Sequence, residues 1–140
     1  MGDAVYEIIG CRNLSILKKL IEDGFNVNTR DDSGYTALMY ASKGGRLGIA
    51  KELIKARADV NARNKYENFT ALIYASQFGR LGMAKFLIKS GANPFIKDKH
   101  GRTAFDHAKG RPNTRKYLKF AMTRYNLPIK LRKAANRQLR

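Results

Sequence analysis

Residues that could perform chemistry are few and scattered in this chain. Two histidines and one cysteine among 140 residues are too few to build a cluster of zinc ligands. Ser42, Asp106 and His107 are residue types of a hydrolase triad, but no motif brings them together, and neighbours such as Asp106 and His107 point to different sides of a helix. The stretch SKGGRLG (42–48) matches neither a P-loop nor a dinucleotide-binding pattern. We therefore predict a protein that is not an enzyme and needs no metal or other cofactor.

The composition fits one domain with an unusual charge. With 140 residues and 44% hydrophobic content, the chain is long enough to bury a core. Its 28 Lys and Arg residues against 11 Asp and Glu give a formal net charge of +17. Such a charge favours contact with an anionic partner, which is a nucleic acid, an anionic lipid surface or an acidic protein.

Three further features bear on the compartment. The single cysteine, Cys11, excludes an internal disulfide, which fits a reducing environment. No apolar run approaches the ~18 residues of a membrane-spanning helix, and the N-terminal MGDAVYEII lacks a secretory signal. We expect a cytoplasmic protein, or a periplasmic or secreted one if a leader has been removed, with no integral membrane segment.

The residues discussed above lie within or beside a sequence pattern that occurs three times. TALMYASKGGRLGIAKELI begins at Thr36, TALIYASQFGRLGMAKFLI at Thr70 and the weaker TAFDHAKGRPNTRKYLKFA at Thr103, so the copies start 34 and 33 residues apart. In each copy the Thr side chain can cap a first helix, and a turn leads to a second helix with the apolar spacing of one buried stripe. Short extended segments then lead to a turn before the next copy.

Several positions in these turns require a left-handed backbone. Gly24 and Gly91 stand where a second helix must end in that conformation. Arg57 occupies the equivalent place in the middle copy, where a non-glycine residue should cost roughly 1 kcal/mol. In the last copy, Pro112 is expected to replace the glycine that separates the two helices.

The unit resembles the ankyrin repeat, a helix–turn–helix unit of about 33 residues with the signature T-P-L-H-x-A. The resemblance rests on TALMYAS, GRLGIAKELI and ARADVNARN, then on TALIYAS, GRLGMAKFLI and SGANPFIKD. It implies an all-α fold, an ankyrin-repeat solenoid whose β-turns project as fingers. It divides the chain into an ankyrin-repeat domain at 1–125, with units at 3–35, 36–69, 70–102 and 103–125, and a basic, helical C-terminal extension at 126–140.

The resemblance also implies a function. Ankyrin-like proteins bind other proteins through a concave surface lined by the fingers and the first helices. We therefore expect a monomeric protein-binding module with a partner that carries an acidic patch, acting as a dedicated inhibitor, a self-protection protein or an adaptor. By register with the family, the partner-binding residues are Tyr35, Lys43, Lys65, Tyr66, Phe69, Gln77, Phe78, Lys99, His100, Arg102 and Arg111.

The finger between the middle copies is one residue longer than its neighbours. It reads NKYENF (64–69), whereas the other fingers read DDSGY (31–35) and DKHGR (98–102), and Asn68 stands where glycine is expected. Asn tolerates a left-handed backbone, so the turn can close and present Tyr66 and Phe69 at its tip. An insertion at an exposed tip is also tolerated without any function. Phe78 has two interpretations as well, as a groove residue or as packing against the neighbouring unit.

The C-terminal end is strongly basic. No acidic residue follows Asp106, while residues 107–140 hold eleven Lys and Arg residues. One interpretation is a solvated cap that keeps the open end of a solenoid from stacking. The alternative is an anion-binding region that contacts nucleic acid, a ribonucleoprotein or an anionic membrane. Its candidate residues are Arg115, Lys116, Lys119, Arg124, Lys130, Arg132, Lys133 and Arg137.

Overall fold

The computed structural model describes residues 13–127, and within this range every regular element is a helix. Residues 1–12 and 128–140, which include the start of the predicted first unit and most of the predicted extension, lie outside the described residues. No helix in the described range is both long and apolar enough to cross a membrane. The helices are α1 (Leu14–Glu22), α2 (Ala37–Gly44), α3 (Leu47–Lys55), α4 (Ala71–Gln77), α5 (Leu81–Lys89), α6 (Ala104–His107) and α7 (Pro112–Tyr125).

The helices stack as pairs, which confirms the predicted all-α repeat solenoid. The first helices α2, α4 and α6 pack side by side, and each contacts the second helix of its own pair. In the second layer, α1 packs on α3 and α5 on α7. Small residues lie where the helices approach closely: Ala41, Ala75 and Ala108 are all at most 2% exposed. The core is therefore made by stacking neighbouring units, as a repeat architecture requires.

The first helices begin where the threonines predict. The hydroxyl oxygen of Thr36 accepts a hydrogen bond from the Met39 N–H, and the hydroxyl of Thr70 does the same in α4, which is the expected N-cap. The third copy is capped differently, because the Asp106 carboxylate accepts from both the N–H and the hydroxyl of Thr103, at 2.9 and 3.2 Å. Asp106 therefore stabilises the start of the four-residue helix α6.

The predicted left-handed positions are confirmed. Gly24 and Gly91 have φ of +88° and +100°, and Arg57 adopts φ +69° at the equivalent place despite its side chain. The expectation that Pro112 replaces the glycine between the last two helices is wrong. Gly110 takes the left-handed conformation there, with φ +80°, and Pro112 is the first residue of α7. A shorter first helix moves this glycine two residues closer to its threonine.

Asparagine side chains bridge successive units on the side where the second helices end. Asn28 Oδ1 accepts from the Asp59 N–H at 2.7 Å, and Asn28 Nδ2 donates to the Arg57 carbonyl at 3.2 Å. Asn61 repeats both contacts one unit later, with the N–H of Asn93 and the carbonyl of Gly91. These bonds join each unit to the next at equivalent positions.

Candidate functional site

Each of the three fingers is closed by the side chain of its first residue. Asp31 and Asp98 accept hydrogen bonds from the backbone N–H groups two and four residues later, at 2.8 to 3.0 Å. Asn64 does the same in the middle finger, but with the N–H groups three and five residues later, at 3.2 and 3.0 Å. The middle finger thus keeps the turn and accommodates one extra residue inside it.

The extra residue is Tyr66. Neighbouring fingers are joined by backbone hydrogen bonds of 3.0 Å, from the Lys65 N–H to the Ser33 carbonyl and from the Lys99 N–H to the Glu67 carbonyl. Lys65 and Lys99 therefore hold the same position in their fingers, and Glu67 matches Ser33. Only Tyr66 has no counterpart. Asn68 closes the turn with φ +57°, as predicted, and the Tyr66 side chain is 60% exposed with the Lys65 Nζ 5.7 Å from its ring centre.

The prediction that Phe69 is exposed at the fingertip is wrong. Its side chain turns inward and is only 7% exposed, and Tyr35 at the same position of the first finger is half-buried. Both rings join an aromatic row that crosses the units. Ring centres are 5.3 Å apart for Tyr40 and Tyr35, 5.7 Å for Tyr35 and Tyr74, 5.4 Å for Tyr74 and Phe69, and 4.8 Å for Phe69 and His107. Both residues hold the fingers to the stack, and Phe69 offers no free aromatic surface.

In each unit the first residue of the finger also bonds to a side chain of the first helix. Sequence reasoning missed these polar pairs. The Tyr40 hydroxyl donates to Asp31 at 3.1 Å, and the Asn64 Nδ2 donates to the Tyr74 hydroxyl at 2.9 Å. Burial raises the pKa of Tyr74, so its hydroxyl stays protonated. The signal was present in the sequence, because the fourth residue after each threonine is Tyr, Tyr or His and the residue opening each finger is Asp or Asn.

The third pair contains a carboxylate. Asp98 Oδ2 contacts His107 Nε2 at 2.8 Å and Arg102 Nε at 3.1 Å, and its side chain is fully buried. Burial alone would raise the pKa of Asp98, but hydrogen bonds from the Arg102 N–H, the His107 ring, the His100 N–H and the Arg102 guanidinium hold that pKa well below the ordinary carboxyl range. Since an ionised carboxylate only accepts, His107 Nε2 is the donor.

The exposed residues of the predicted site fall into two groups. A fingertip cluster consists of Lys65, Tyr66, Lys99, His100 and Arg102. The other group lies at the C-terminal ends of the first helices. An eight-residue helix is about 12 Å long, and this length separates the two ends of the helix. This helix-end cluster consists of Lys43, Gln77, Phe78 and Arg111.

The helix-end cluster contains a partly covered aromatic ring. Phe78 is the C-cap residue that directly follows α4, and it remains 37% exposed. The Lys43 Nζ of the preceding unit lies 5.3 Å from the centre of this ring, which is a cation–π distance. Both interpretations of Phe78 thus have a structural counterpart, since the ring contacts its neighbour and also faces solvent.

Sequence reasoning also missed two cations beside this cluster, Arg46 and Arg80. They hold the same position as Arg111, one residue after a left-handed glycine in each unit. The repeated letters GR, at 45–46, 79–80 and 110–111, carried this information.

The described cations of the basic end divide between packing and solvent. The Arg115 guanidinium lies 4.2 Å from the centre of the Phe105 ring, and the Arg124 guanidinium lies 5.8 Å from that of Phe120. Lys116 and Lys119 are exposed on α7. The remaining candidates lie outside the described residues: Lys130, Arg132, Lys133 and Arg137.

The residue types that suggested catalysis each have a separate structural partner. The buried Ser42 hydroxyl donates to the Leu38 carbonyl at 2.7 Å, Asp106 binds Thr103, and His107 binds Asp98. Between residues 13 and 127, no group of three or more His, Cys, Asp or Glu side chains is placed to hold a metal ion.

Comparison with known families agrees with this architecture. A family model described as ankyrin repeats (3 copies) matches residues 4–98. The chain belongs to the ankyrin-repeat family. Ankyrin repeats generally mediate protein–protein interaction and are typically non-catalytic. The chain is also similar to a putative ankyrin repeat protein, FPV034, of Fowlpox virus (strain NVSL), with 32% identity over 62 residues. That match covers 44% of this chain and 15% of the relative.

Proposed function

We propose that this ankyrin-repeat chain is a non-catalytic module that binds an acidic protein partner through the fingertip cluster. The observation that carries the proposal is Tyr66, an inserted aromatic residue that is 60% exposed at the tip of the middle finger. Exposed aromatic side chains flanked by cations are characteristic of the residues that dominate binding energy at protein interfaces. A module of this kind acts by occupying its partner, as an inhibitor, a self-protection protein or an adaptor.

Charge around Tyr66 supports an acidic partner. Lys65 and Lys99 are exposed on adjacent fingers, and the backbone hydrogen bonds between fingers hold their Cα atoms in register. Arg102 is half-exposed but shares its charge with Asp98. The first finger is different, because it carries Asp31 and Asp32. A partner is therefore expected to place carboxylates opposite the second and third fingers, which steers association and fixes orientation.

The test is affinity capture from lysate of the source organism, after nuclease treatment and at physiological salt. Three variants are compared with the parent chain: Tyr66→Ala, deletion of Tyr66, and Phe95→Ala. Deletion restores the five-residue finger, for which Asp31 and Asp98 supply the template. Phe95 is the control, because it is another exposed aromatic residue (36% exposed), outside the three finger sequences and in ring contact with Tyr125.

We expect one protein partner to be captured by the parent chain and by Phe95→Ala. Both Tyr66 variants should lose at least ~2 kcal/mol of binding free energy, a factor of about 30 in Kd, as is usual for a central aromatic anchor. Unchanged capture by Tyr66→Ala would refute the proposal.

Nucleic-acid binding through the basic end is the weaker proposal. Two of its four described candidates, Arg115 and Arg124, already contact aromatic rings within the last unit. Exposed Lys116 and Lys119 remain available. RNA and DNA binding should then fall steeply with salt and depend on these two lysines and on residues 128–140. Binding that persists at physiological salt, and that Lys116→Gln with Lys119→Gln abolishes, would favour this alternative.

A further inference from the structure

The helix-end cluster and two added arginines form a continuous cationic edge. The edge lies at the turns that join the first and second helices and consists of Lys43, Arg46, Gln77, Phe78, Arg80 and Arg111. No Asp or Glu occurs in the turn sequences 43–48, 77–82 or 109–113. The positive charge of this edge is therefore not balanced by its own turns.

The arginines are held in place by the glycines of the preceding unit. Gly45 has φ +67°, and a Cβ built on it would lie 2.9 Å from Arg80 Cδ. Gly79 has φ +66°, and a Cβ there would lie 2.8 Å from Arg111 Cδ. Arg80 and Arg111 thus lie across the bare backbone of the unit before them. Arg80 also donates from Nε to the Lys43 carbonyl at 3.2 Å.

This packing leaves a preorganised pair of guanidinium groups. Nε of Arg80 is used within the protein, while the side chains of both Arg80 and Arg111 are exposed. A guanidinium presents its donors as a fork that fits a carboxylate with two hydrogen bonds. Because the stems are already fixed, binding costs less side-chain entropy than at free surface arginines.

The spacing selects the shape of the partner. Arg80 and Arg111 lie across the equivalent glycines Gly45 and Gly79, which follow the packed helices α2 and α4. Packed helices are about 8–10 Å apart, and this sets the approximate spacing of the two arginines. An α-helix rises 1.5 Å per residue, so carboxylates seven residues apart on one face are separated by about 10.5 Å. An extended strand repeats its face every 6.6–6.8 Å, which is shorter than this spacing. A nucleic acid duplex carries a phosphate every 3.4 Å per strand, so phosphates three apart would match the spacing, but its backbone offers no apolar group to Phe78.

The position of Phe78 favours an α-helical partner over a partner segment in the polyproline II conformation. A polyproline II segment repeats its face every 9.3 Å, which also suits the two arginines, but it has no same-face residue between the two carboxylates. A helix presents residue i+4 on that face. Phe78 lies between the end of α4 and Gly79 and is 37% exposed, so it can receive an apolar side chain at i+4.

We propose that this cationic edge binds an acidic amphipathic α-helix that carries carboxylates at i and i+7 and an apolar residue at i+4. The inference rests on the proposed function, since such a helix belongs to a protein partner. It uses a surface separate from the fingertip cluster, and it names the chemistry of a second contact.

The test measures peptide binding by fluorescence anisotropy at physiological salt. The probe is a capped, Ala-rich helical peptide with Glu at i and i+7 and Leu at i+4. An isomer of the same composition has its Glu residues at i and i+2, and a third peptide has Glu at every third position of a polyproline segment. The variants are Arg80→Gln with Arg111→Gln, the charge-keeping Arg80→Lys with Arg111→Lys, and Lys55→Gln with Lys89→Gln as a control of equal charge loss on the second helices.

We expect the peptide with Glu at i and i+7 to bind about tenfold more tightly than the isomer with Glu at i and i+2. The Gln variant should abolish this ratio, the Lys variant should reduce it at least threefold, and the Lys55 and Lys89 control should keep it. Phe78→Ala should weaken the Leu peptide but not a peptide with Ala at i+4. If the Gln variant fails to fold, the ratio of peptide affinities measured with the Lys variant serves as the test.

Three results with the peptides would overturn the inference: equal binding of the two isomers, tighter binding of the polyproline peptide, or a ratio that survives both arginine variants. Tighter binding of a single-stranded RNA with the same dependence on Arg80 and Arg111 would overturn it in favour of nucleic acid. Deletion of Tyr66 should leave peptide binding unchanged. A failed peptide experiment with intact, Tyr66-dependent partner capture would therefore remove the helix inference alone.

Discussion

Asp98→Ala should destabilise the domain more than any other single change in the fingers. The carboxylate of Asp98 is fully buried and accepts hydrogen bonds from the N–H groups of His100 and Arg102, from Arg102 Nε and from His107 Nε2, at 2.8 to 3.1 Å. A hydrogen bond to a charged group contributes about 1.5–3 kcal/mol, but four bonds to one carboxylate are not additive. Removing one member of a buried pair costs about 3–5 kcal/mol. Since the two N–H groups lie on an exposed finger and regain water, we expect a loss of about 3 kcal/mol.

The variant Asp98→Asn separates two contributions of Asp98 to stability, the closure of the turn and the negative charge. Asn64 closes the middle finger by accepting two backbone hydrogen bonds through its amide oxygen, so an amide at 98 should also preserve the turn. It removes the negative charge that faces Arg102 and His107, and we expect a loss of about 1–2 kcal/mol. Asp31→Asn is the matched control, because the partners of Asp31 are neutral backbone N–H groups and the Tyr40 hydroxyl, and its loss should be below about 1 kcal/mol.

The charge contribution also has a defined pH dependence. The folded state lowers the pKa of Asp98 below its ordinary value. Its stabilising effect is therefore complete above the unfolded-state pKa near 3.9 and is lost as the pH falls below that value. The stability difference between the parent chain and Asp98→Asn should shrink between about pH 5 and pH 2, while other carboxylates cancel in the comparison.

The assay is urea denaturation followed by far-UV circular dichroism, because the chain contains no tryptophan. Unfolding free energies are measured for all four proteins at several pH values. An Asp98→Ala loss below about 1 kcal/mol, or a parent-to-Asn difference that is constant between pH 7 and pH 3, would refute the argument.

Three further predictions concern backbone conformation and unit bridging, and each is checked by the same denaturation assay. Arg57→Gly should raise stability by about 0.5–1 kcal/mol, because φ +69° is strained for Arg, whereas the reverse change at the equivalent position, Gly91→Arg, should lower it by about 1 kcal/mol. Gly79→Ala should cost more than Gly91→Ala, since a Cβ at 79 would lie 2.8 Å from Arg111 Cδ while the space at Gly91 is open, and Arg111→Ala should recover part of the difference. Asn61→Ala removes both hydrogen bonds that bridge to the next unit and should cost about 1–2 kcal/mol; a neutral Asn61→Ala would show that stacking alone sets the unit spacing.

The sequence predicts those features of each repeat that depend only on neighbouring residues in the chain. The threonine caps at 36 and 70 and the left-handed residues Gly24, Arg57 and Asn68 follow from register alone, because they concern contacts within one turn of chain. The family and the all-α solenoid followed from the same register. The error at Pro112 arose because the last copy is shorter, which shifted the glycine rather than removing it.

The candidate site was less predictable, because its residues depend on neighbouring units. The sequence by itself determined the period, the caps, the glycine turns, the net charge and the existence of one extra finger residue. Only the tertiary structure decided that Phe69 turns inward to contact Tyr74 and His107 while Tyr66 is the residue left outside. Only stacking, likewise, laid Arg80 and Arg111 across the glycines of the preceding unit. A side chain at a unit boundary takes its direction from the space that the adjacent unit leaves, and that space is fixed by packing across 30 or more residues of sequence rather than by local propensity.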